Sequence, residues 1–317
     1  VALHVLKKVI GGVLTLLGAS VLVFVAMRIL PGDAAAVLLG AEATPESLAA
    51  LRERLGLNEP LLTQYFVWLG DFARGDLGTS IISGNRLIDE LKPRMGVTVP
   101  LAIGAIVTSQ IIAIPLGALA ALRHRKPTDT IVSGIAQLGM AVPAFWLGIM
   151  LITVVSVRYR LLPSGGFTSW SVDAGAALRS LILPTIALAL VYGAVYTRYI
   201  RASILEVLRE DHMRTALAWG LSRRDALIRH GLRNASIPIV TLLALSMVGL
   251  LGGAIVVESV FTLPGVGMLL LQSLSRRDYT FVQSLSLLVA AAVVVTNVLM
   301  DVLYAALDPR VRTGVAA

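Results

Sequence analysis

Six apolar stretches dominate the chain: residues 9–30, 97–122, 131–157, 181–200, 237–257 and 282–307. A hydrocarbon core of about 30 Å is crossed by about 20 helical residues, so each stretch is long enough to span a bilayer. Charge is scarce as well. Only 15% of the 317 residues are Asp, Glu, Lys or Arg, 56% are hydrophobic, and the mean hydropathy is +0.83. Soluble domains carry about 25% charged residues, which they need to face water. The reading is an all-α integral membrane protein with six transmembrane helices. The first apolar run is too long for a signal-peptide core and reads as a retained first span that is its own targeting signal.

The net charge of +8 suggests nucleic-acid binding only until the basic residues are placed. Lys7, Lys8, Arg123, Arg125 and Lys126 flank apolar runs. Arg198 closes the fourth, Arg201, Arg209, Arg214, Arg223, Arg224, Arg229 and Arg233 follow it, and Arg310 and Arg312 follow the last. These fifteen of the 27 Lys and Arg residues fall on one side if both termini are cytoplasmic. That is the pattern by which loop charge sets orientation. The partner of this chain is lipid and not nucleic acid. The chain divides into residues 1–30 (N-terminus and first span), an external loop at 31–96, a permease core at 97–307 with a cytoplasmic loop at 201–237, and a tail at 308–317.

The external loop is expected to be ordered. Thr44-Pro45-Glu46 reads as a helix start, Leu48, Leu51 and Leu55 recur at helical spacing, and Gly56 is a stop. Leu61, Tyr65, Trp68 and Leu69 repeat the pattern. Two readings stand for these short helices, a position on the membrane interface and a docking surface for an external partner. The cytoplasmic connection is expected as one helix over Ala202 to Ala218, a stop at Gly220, a capping box at Ser222 and Asp225, and a second helix through Arg223 to Arg233. Thr215, Ala216 and Ala218 lie beside Met213, Leu217 and Trp219. Small residues in that setting let a helix seat deeply in a groove of another protein, and arginines at the rim add steering. A solvated loop that only sets topology is the alternative.

Residues Arg214-Thr215-Ala216-Leu217-Ala218-Trp219-Gly220-Leu221 resemble the EAA loop of permease subunits of ATP-binding-cassette importers. His230-Gly231-Leu232-Arg233-Asn234-Ala235-Ser236-Ile237-Pro238 is similar to the run that follows it in the dipeptide/oligopeptide (and nickel) permease family. Leu30-Pro31-Gly32-Asp33, Leu55-Gly56-Leu57-Asn58-Glu59-Pro60, Gln64-Tyr65 and Gly75-Asp76-Leu77-Gly78 agree with that family in order. So do Gly252-Gly253-Ala254-Ile255-Val256-Val257-Glu258, Pro264-Gly265-Val266-Gly267 and Leu307-Asp308-Pro309-Arg310. The long loop after the first span resembles the first-permease type. The resemblance implies the type I ABC importer permease fold in a bacterial cytoplasmic membrane. It implies a second homologous permease, two ATPase subunits carrying ATP and Mg, an external substrate-binding protein, and a di- or oligopeptide cargo. It also implies that Met213, Arg214, Thr215, Ala216, Leu217, Ala218, Trp219 and Gly220 form the ATPase contact. The chain departs from the pattern at Trp219, where the family usually has Lys, and at His212, where it often has Tyr. Either the partner's groove is adapted to the indole or Trp219 lies at its rim.

The implied role is transport and not catalysis, with no catalytic or metal residue and no cofactor in this chain. No Gly-Lys dipeptide occurs, so there is no P-loop, and no cysteine occurs. The four histidines form no H-E-x-x-H motif. Nickel complex, glutathione, opine and haem remain alternative cargoes within the family. A stand-alone ion-coupled transporter is the alternative of another class. Polar groups within apolar runs are candidate pathway residues, here Gln110, Gln137 and Asn297, with Asp301 near the end of the last. Inter-helix hydrogen bonding is the competing reading. Pro115 and Pro143 are candidate bends. Gly249 and Gly253 form a G-x-x-x-G pair, read either as a site of close helix approach or as a chance match of a short pattern.

Overall fold

The computed structural model describes residues 2–29, 39, 44–54 and 56–307, without the side chains of 2–5, 54, 300–307 and ten positions between 233 and 251. The expected motifs at Leu30–Asp33 and Asp308–Arg310, and the side chain of Asp301, lie outside the described residues. The helices are α1 (Ala2–Ile29), α2 (Pro45–Arg54), α3 (Leu61–Ala73), α4 (Leu87–Leu122), α5 (Pro127–Ala141) and α6 (Ala144–Leu151). They continue as α7 (Ala174–Val207), α8 (Asp211–Ala218), α9 (Arg223–Ala226), α10 (Leu232–Val260), α11 (Val266–Ser275) and α12 (Tyr279–Leu307). Wider π-type turns extend α6 over Ile152–Arg158 and join α9 to α10 over Leu227–Gly231. Among the described residues the fold is all-helical apart from one isolated bridge, Thr79 to Arg86.

Among the described residues, four helices are long and apolar enough to cross a membrane, and a fifth crossing arises if the bent pair Pro127–Ala141 and Ala144–Arg158 is one span. That pair turns through 97° where Val142 and Pro143 leave the helix. Proline removes a backbone donor and biases the preceding residue to extended geometry, so the break falls at Pro143 as its position predicts. Pro115, in contrast, lies within unbroken α4. Helix α10 covers the stretch expected as the fifth span.

The chain forms two compact units. One comprises Leu6–Gly96 with Gly265–Val298. In it α2 begins at Thr44, whose Oγ1 accepts from Ser47 N at 3.2 Å while Ser47 Oγ accepts from Thr44 N at 2.9 Å. This reciprocal pair satisfies two orphan amides. Helix α3 lies along α1: Ser20 and Tyr65 hydroxyls are 2.8 Å apart, and Phe24 meets Tyr65 at 5.4 Å and Trp68 at 6.1 Å between ring centroids. Helix α4 starts ten residues before the apolar run expected to begin at Val97. Its added turns carry Asp89, Glu90, Lys92 and Arg94, which hide them from a hydropathy reading. Yet Leu87 and Leu91 face a core with Leu77, Val266, Leu269, Phe281 and Leu285. Asp278 caps α12, accepting from Phe281 N at 3.4 Å, and also accepts from Ser80 Oγ at 2.5 Å.

The other unit is built on Val97–Pro264. Its first core joins Val97, Leu101 and Ala105 of α4 to Leu181, Leu183, Ala187 and Leu188 of α7 and to Leu250, Ala254, Val257 and Phe261. Small residues set the helix spacing. A Cβ on Gly117 would stand 2.8 Å from Ile200 Cγ2 and 2.9 Å from Thr197 O, and one on Gly139 would stand 2.8 Å from Ala194 Cβ. Gly249 and Gly253 both face Tyr192 of α7, which gives the G-x-x-x-G pair its packing role. The segment after α6 returns to the far end of α10. Gly166, at φ +79°, donates its N–H to Phe261 O at 2.9 Å, and the backbone at Gly165 comes so close to Phe261 O that a Cβ would stand 2.6 Å away.

Candidate functional site

The connection between α7 and α10 differs from its expected form. The single helix expected over Ala202 to Ala218 is two. Helix α7 runs on unbroken to Val207, so Arg201–Val207 extends the preceding helix and does not belong to a loop beginning at 201. The chain turns at Leu208–Glu210, where short-range bonds such as Glu210 N to Val207 O close the last turn. Glu210 is extended (φ −66°, ψ 151°) and Asp211 opens α8. Two consecutive acids favour a helix N-terminus, where the dipole is positive. The expected capping box is present: Ser222 Oγ accepts from Asp225 N at 3.2 Å. Beyond it the helix runs through the π-type turn into α10, so Pro238 lies inside a helix.

Helix α8 has two faces. Met213 and Ala216 are buried among Ala113 and Ala121 of α4, Tyr196, Ile200, Ile204 and Val207 of α7, Ala226, Leu227 and Ala235. The small residue expected to seat in a partner's groove, Ala216, therefore points into its own chain. Gly231 makes room for this packing, since a Cβ there would meet Val207 Cγ1 at 3.2 Å and Met213 Sδ at 3.5 Å. Burying a methionine stabilises by about 1.5–3 kcal/mol, so this short helix is fastened by its apolar face and not by propensity. The opposite face presents Asp211, His212, Arg214, Thr215, Ala218, Trp219 and Gly220 to the exterior, with Leu217 between the faces. Trp219 is 83% exposed. Gly220 stands at φ +88°, the left-handed geometry in which glycine ends a helix. The Arg214–Asp211 pair, 3.6 Å apart, is solvated and contributes little.

A second feature of this end had no local signal in the sequence. Asp129, ahead of the third apolar run, is buried and accepts from Arg201 Nε at 2.5 Å and Arg201 Nη2 at 2.8 Å. Arg125 N (3.1 Å) and Ser133 Oγ (3.3 Å) also donate to it, and His124 Nδ1 lies 3.0 Å away. Arg125 takes φ +63° to bring its amide inward. Partners 72 residues apart leave no short-range pattern; the available clue was a lone acid in a basic stretch. Asp129→Asn keeps the shape but removes the charge that the Arg201 fork grips, so its melting temperature in detergent should fall below the parent's. An unchanged melting temperature would contradict this.

Of the expected pathway residues, three lie in the unit built on Val97–Pro264 and Asn297 in the other. Gln137 and Pro143 are exposed on the broken span. Gln110 of α4 is half-buried, and its Nε2 is enclosed without a hydrogen-bond partner among the described residues. Asn297 is exposed on α12, in the other unit.

Comparison with known proteins adds the following. Residues 113–313 match the model of binding-protein-dependent transport system inner membrane components, and residues 2–102 match the N-terminal model of those membrane components. The chain is 36% identical to a probable peptide ABC transporter permease protein, y4tP, of Sinorhizobium fredii (strain NBRC 101917 / NGR234), over 98% of this chain and 99% of that one. It is 40% identical to the glutathione transport system permease protein GsiC of Escherichia coli (strain K12), over 98% of both. The GsiC protein of Shigella dysenteriae serotype 1 (strain Sd197) matches to the same extent.

Proposed function

Because the chain belongs to the family of binding-protein-dependent transport system inner membrane components, and so is an ABC importer permease of the peptide or glutathione type, we propose that it carries di- and oligopeptides inward as one of two homologous permeases. In this reading it crosses the membrane six times with both termini cytoplasmic. An external binding protein delivers cargo, and two cytoplasmic ATPase subunits supply ATP and Mg chemistry. Peptide cargo is supported by the description of the Sinorhizobium relative, and glutathione, itself a tripeptide, by that of the Escherichia relative.

The observation that carries the mechanism is the two-faced helix α8. Its inner face is built into the ends of α4 and α7, while Arg214, Thr215, Ala218 and Trp219 are left exposed beside it. A helix so mounted transfers a push on its outer face to the membrane helices. Trp219 supplies the large, rigid apolar anchor typical of interface centres. Met213 and Ala216 hold the helix in place and do not themselves meet the ATPase.

The test is co-expression of this chain with its candidate permease and ATPase partners, followed by reconstitution with the binding protein. Trp219→Ala should lower ATPase retention at least tenfold, as loss of an interface hot spot of about 2 kcal/mol or more does, while the chain's own melting temperature holds. Labelled dialanine and labelled glutathione identify the cargo. ATPase retention unchanged by both Trp219→Ala and Thr215→Glu would refute the contact. Cargo flux through the chain alone, without ATPases, would replace this reading with an ion-coupled transporter.

A further inference from the structure

We propose that the Asp129–Arg201 ion pair is a register pin that forces α5 to travel with α7 and α8, so that displacement of α8 reaches the break at Val142–Pro143. This rests on the reading of α8 as the ATPase contact.

Helix α8 cannot rock independently, because Met213 and Ala216 share a core with Ile200, Ile204 and Val207 of α7. Motion of α8 is therefore motion of the end of α7. Transfer from α7 to α5 is a separate matter. The two helices touch closely at Gly139 and Ala194, a contact of small apolar groups. Such a contact fixes the distance between helices but has no directional bond, and packed helices shear past one another along seams of this kind.

The ion pair supplies what that seam lacks. The Nε and Nη2 of Arg201 grip the two oxygens of Asp129 at 2.5 and 2.8 Å, a planar, charge-assisted fork that tolerates little axial sliding. The carboxylate is fixed on its own side by Arg125 N and Ser133 Oγ, with His124 Nδ1 adjoining, so it cannot follow Arg201 without carrying the start of α5 with it. Asp129 and Gly139 are ten residues apart on α5, about 15 Å at 1.5 Å per residue. Attachment at these two points makes α5 and α7 one body. The far end of that body is Ala141, next to the 97° bend, where Gln137 and Pro143 are exposed. Arg201 and Asp129 are thus positioning residues for transport, acting through the broken span without touching cargo or ATPase.

The absence of native cysteine allows a direct test. Spin labels are placed at Ile135→Cys on α5 and Tyr199→Cys on α7, both exposed positions, in the complete complex with the second permease and the ATPases. The label distance is measured without nucleotide and after trapping with Mg-ATP and vanadate. The parent should hold one distance in both states. Asp129→Asn and Arg201→Gln should let it shift by about 5 Å, one helical turn, on trapping. In both variants uptake of labelled dialanine or glutathione, whichever the parent transports, should fall more than tenfold while ATP hydrolysis persists. Arg201→Lys, which keeps the charge and loses the fork, should lie between. It also carries the comparison should the other variants fail to assemble. Variants that hold the parent's distance in both states overturn the pin. So does an uptake loss that merely follows loss of ATPase subunits. A parent complex that does not retain its ATPases removes the reading of α8, and the pin with it as a coupling device.

Discussion

Glutamate at position 216 is expected to leave no assembled transporter. The Ala216 side chain points into the core shared by α4, α7, α8 and α9. A carboxylate there is larger than its space and has no countercharge among the residues of that core. Overpacking costs about 1–3 kcal/mol. A buried, unpaired charge adds several kcal/mol more. Set against a total stability of about 5–15 kcal/mol, the sum abolishes folding of this end of the molecule. The measurement is the yield of monodisperse chain in mild detergent, with ATPase co-purification read only on what survives. Ala216→Glu at parental yield and melting temperature would show that α8 is not packed as described. The contrast with Trp219→Ala is what makes the pair informative. Both are expected to lose the ATPases, but only the first by unmaking the chain's own packing.

Gly117→Leu is expected to be nearly as damaging, through steric contact alone. At that crossing α4 approaches α7 so closely that even a Cβ meets Ile200 Cβ and Cγ2 at 2.8 Å and the Thr197 carbonyl oxygen at 2.9 Å. The carbonyl belongs to a helix backbone and cannot turn aside. Alanine should cost about 1–3 kcal/mol and leucine more, since every rotamer extends the clash. The control is Gly134 on α5, where a Cβ meets nothing within 4 Å. Gly134→Ala should be neutral or slightly stabilising, because alanine is favoured over glycine within helices by about 1 kcal/mol. Melting curves of the three variants in one detergent decide it. Equal effects at 117 and 134 would mean that α4 and α7 do not cross there.

The apolar runs were legible because bilayer crossing demands length and hydropathy together: α4, α7 and α12 contain the runs expected of them, and α1 covers the described part of the first. The short helices α2 and α3 were legible for a different reason, since caps and prolines act over three or four residues. What local patterns cannot show is which side of a short helix faces inward. The small-residue run at 215–218 reads equally well as a surface for a partner and as a surface for the chain's own core, and the core takes Ala216. The turn at Leu208–Glu210 was hidden because good helix formers flank it on both sides. The first turns of α4 were hidden by the charges at 89–94, although Leu87 and Leu91 are four apart on one face. The meeting of Asp129 with Arg201 left only the clue of a lone acid in a basic stretch, because it depends on how helices carrying residues 72 apart pack together.

The indole that stands outward at Trp219 also bears on how a cell keeps its importers apart. Where several related transporters share one membrane, each ATPase has to select its own permease. A pocket shaped for an ammonium would have to desolvate that charge site and accommodate an indole to accept this chain. A pocket shaped for the indole would leave an ammonium without its water. Under the ATPase contact proposed for α8, such an outward side chain would serve as a label of origin, matching each permease to its own motor and insulating parallel import routes from one another.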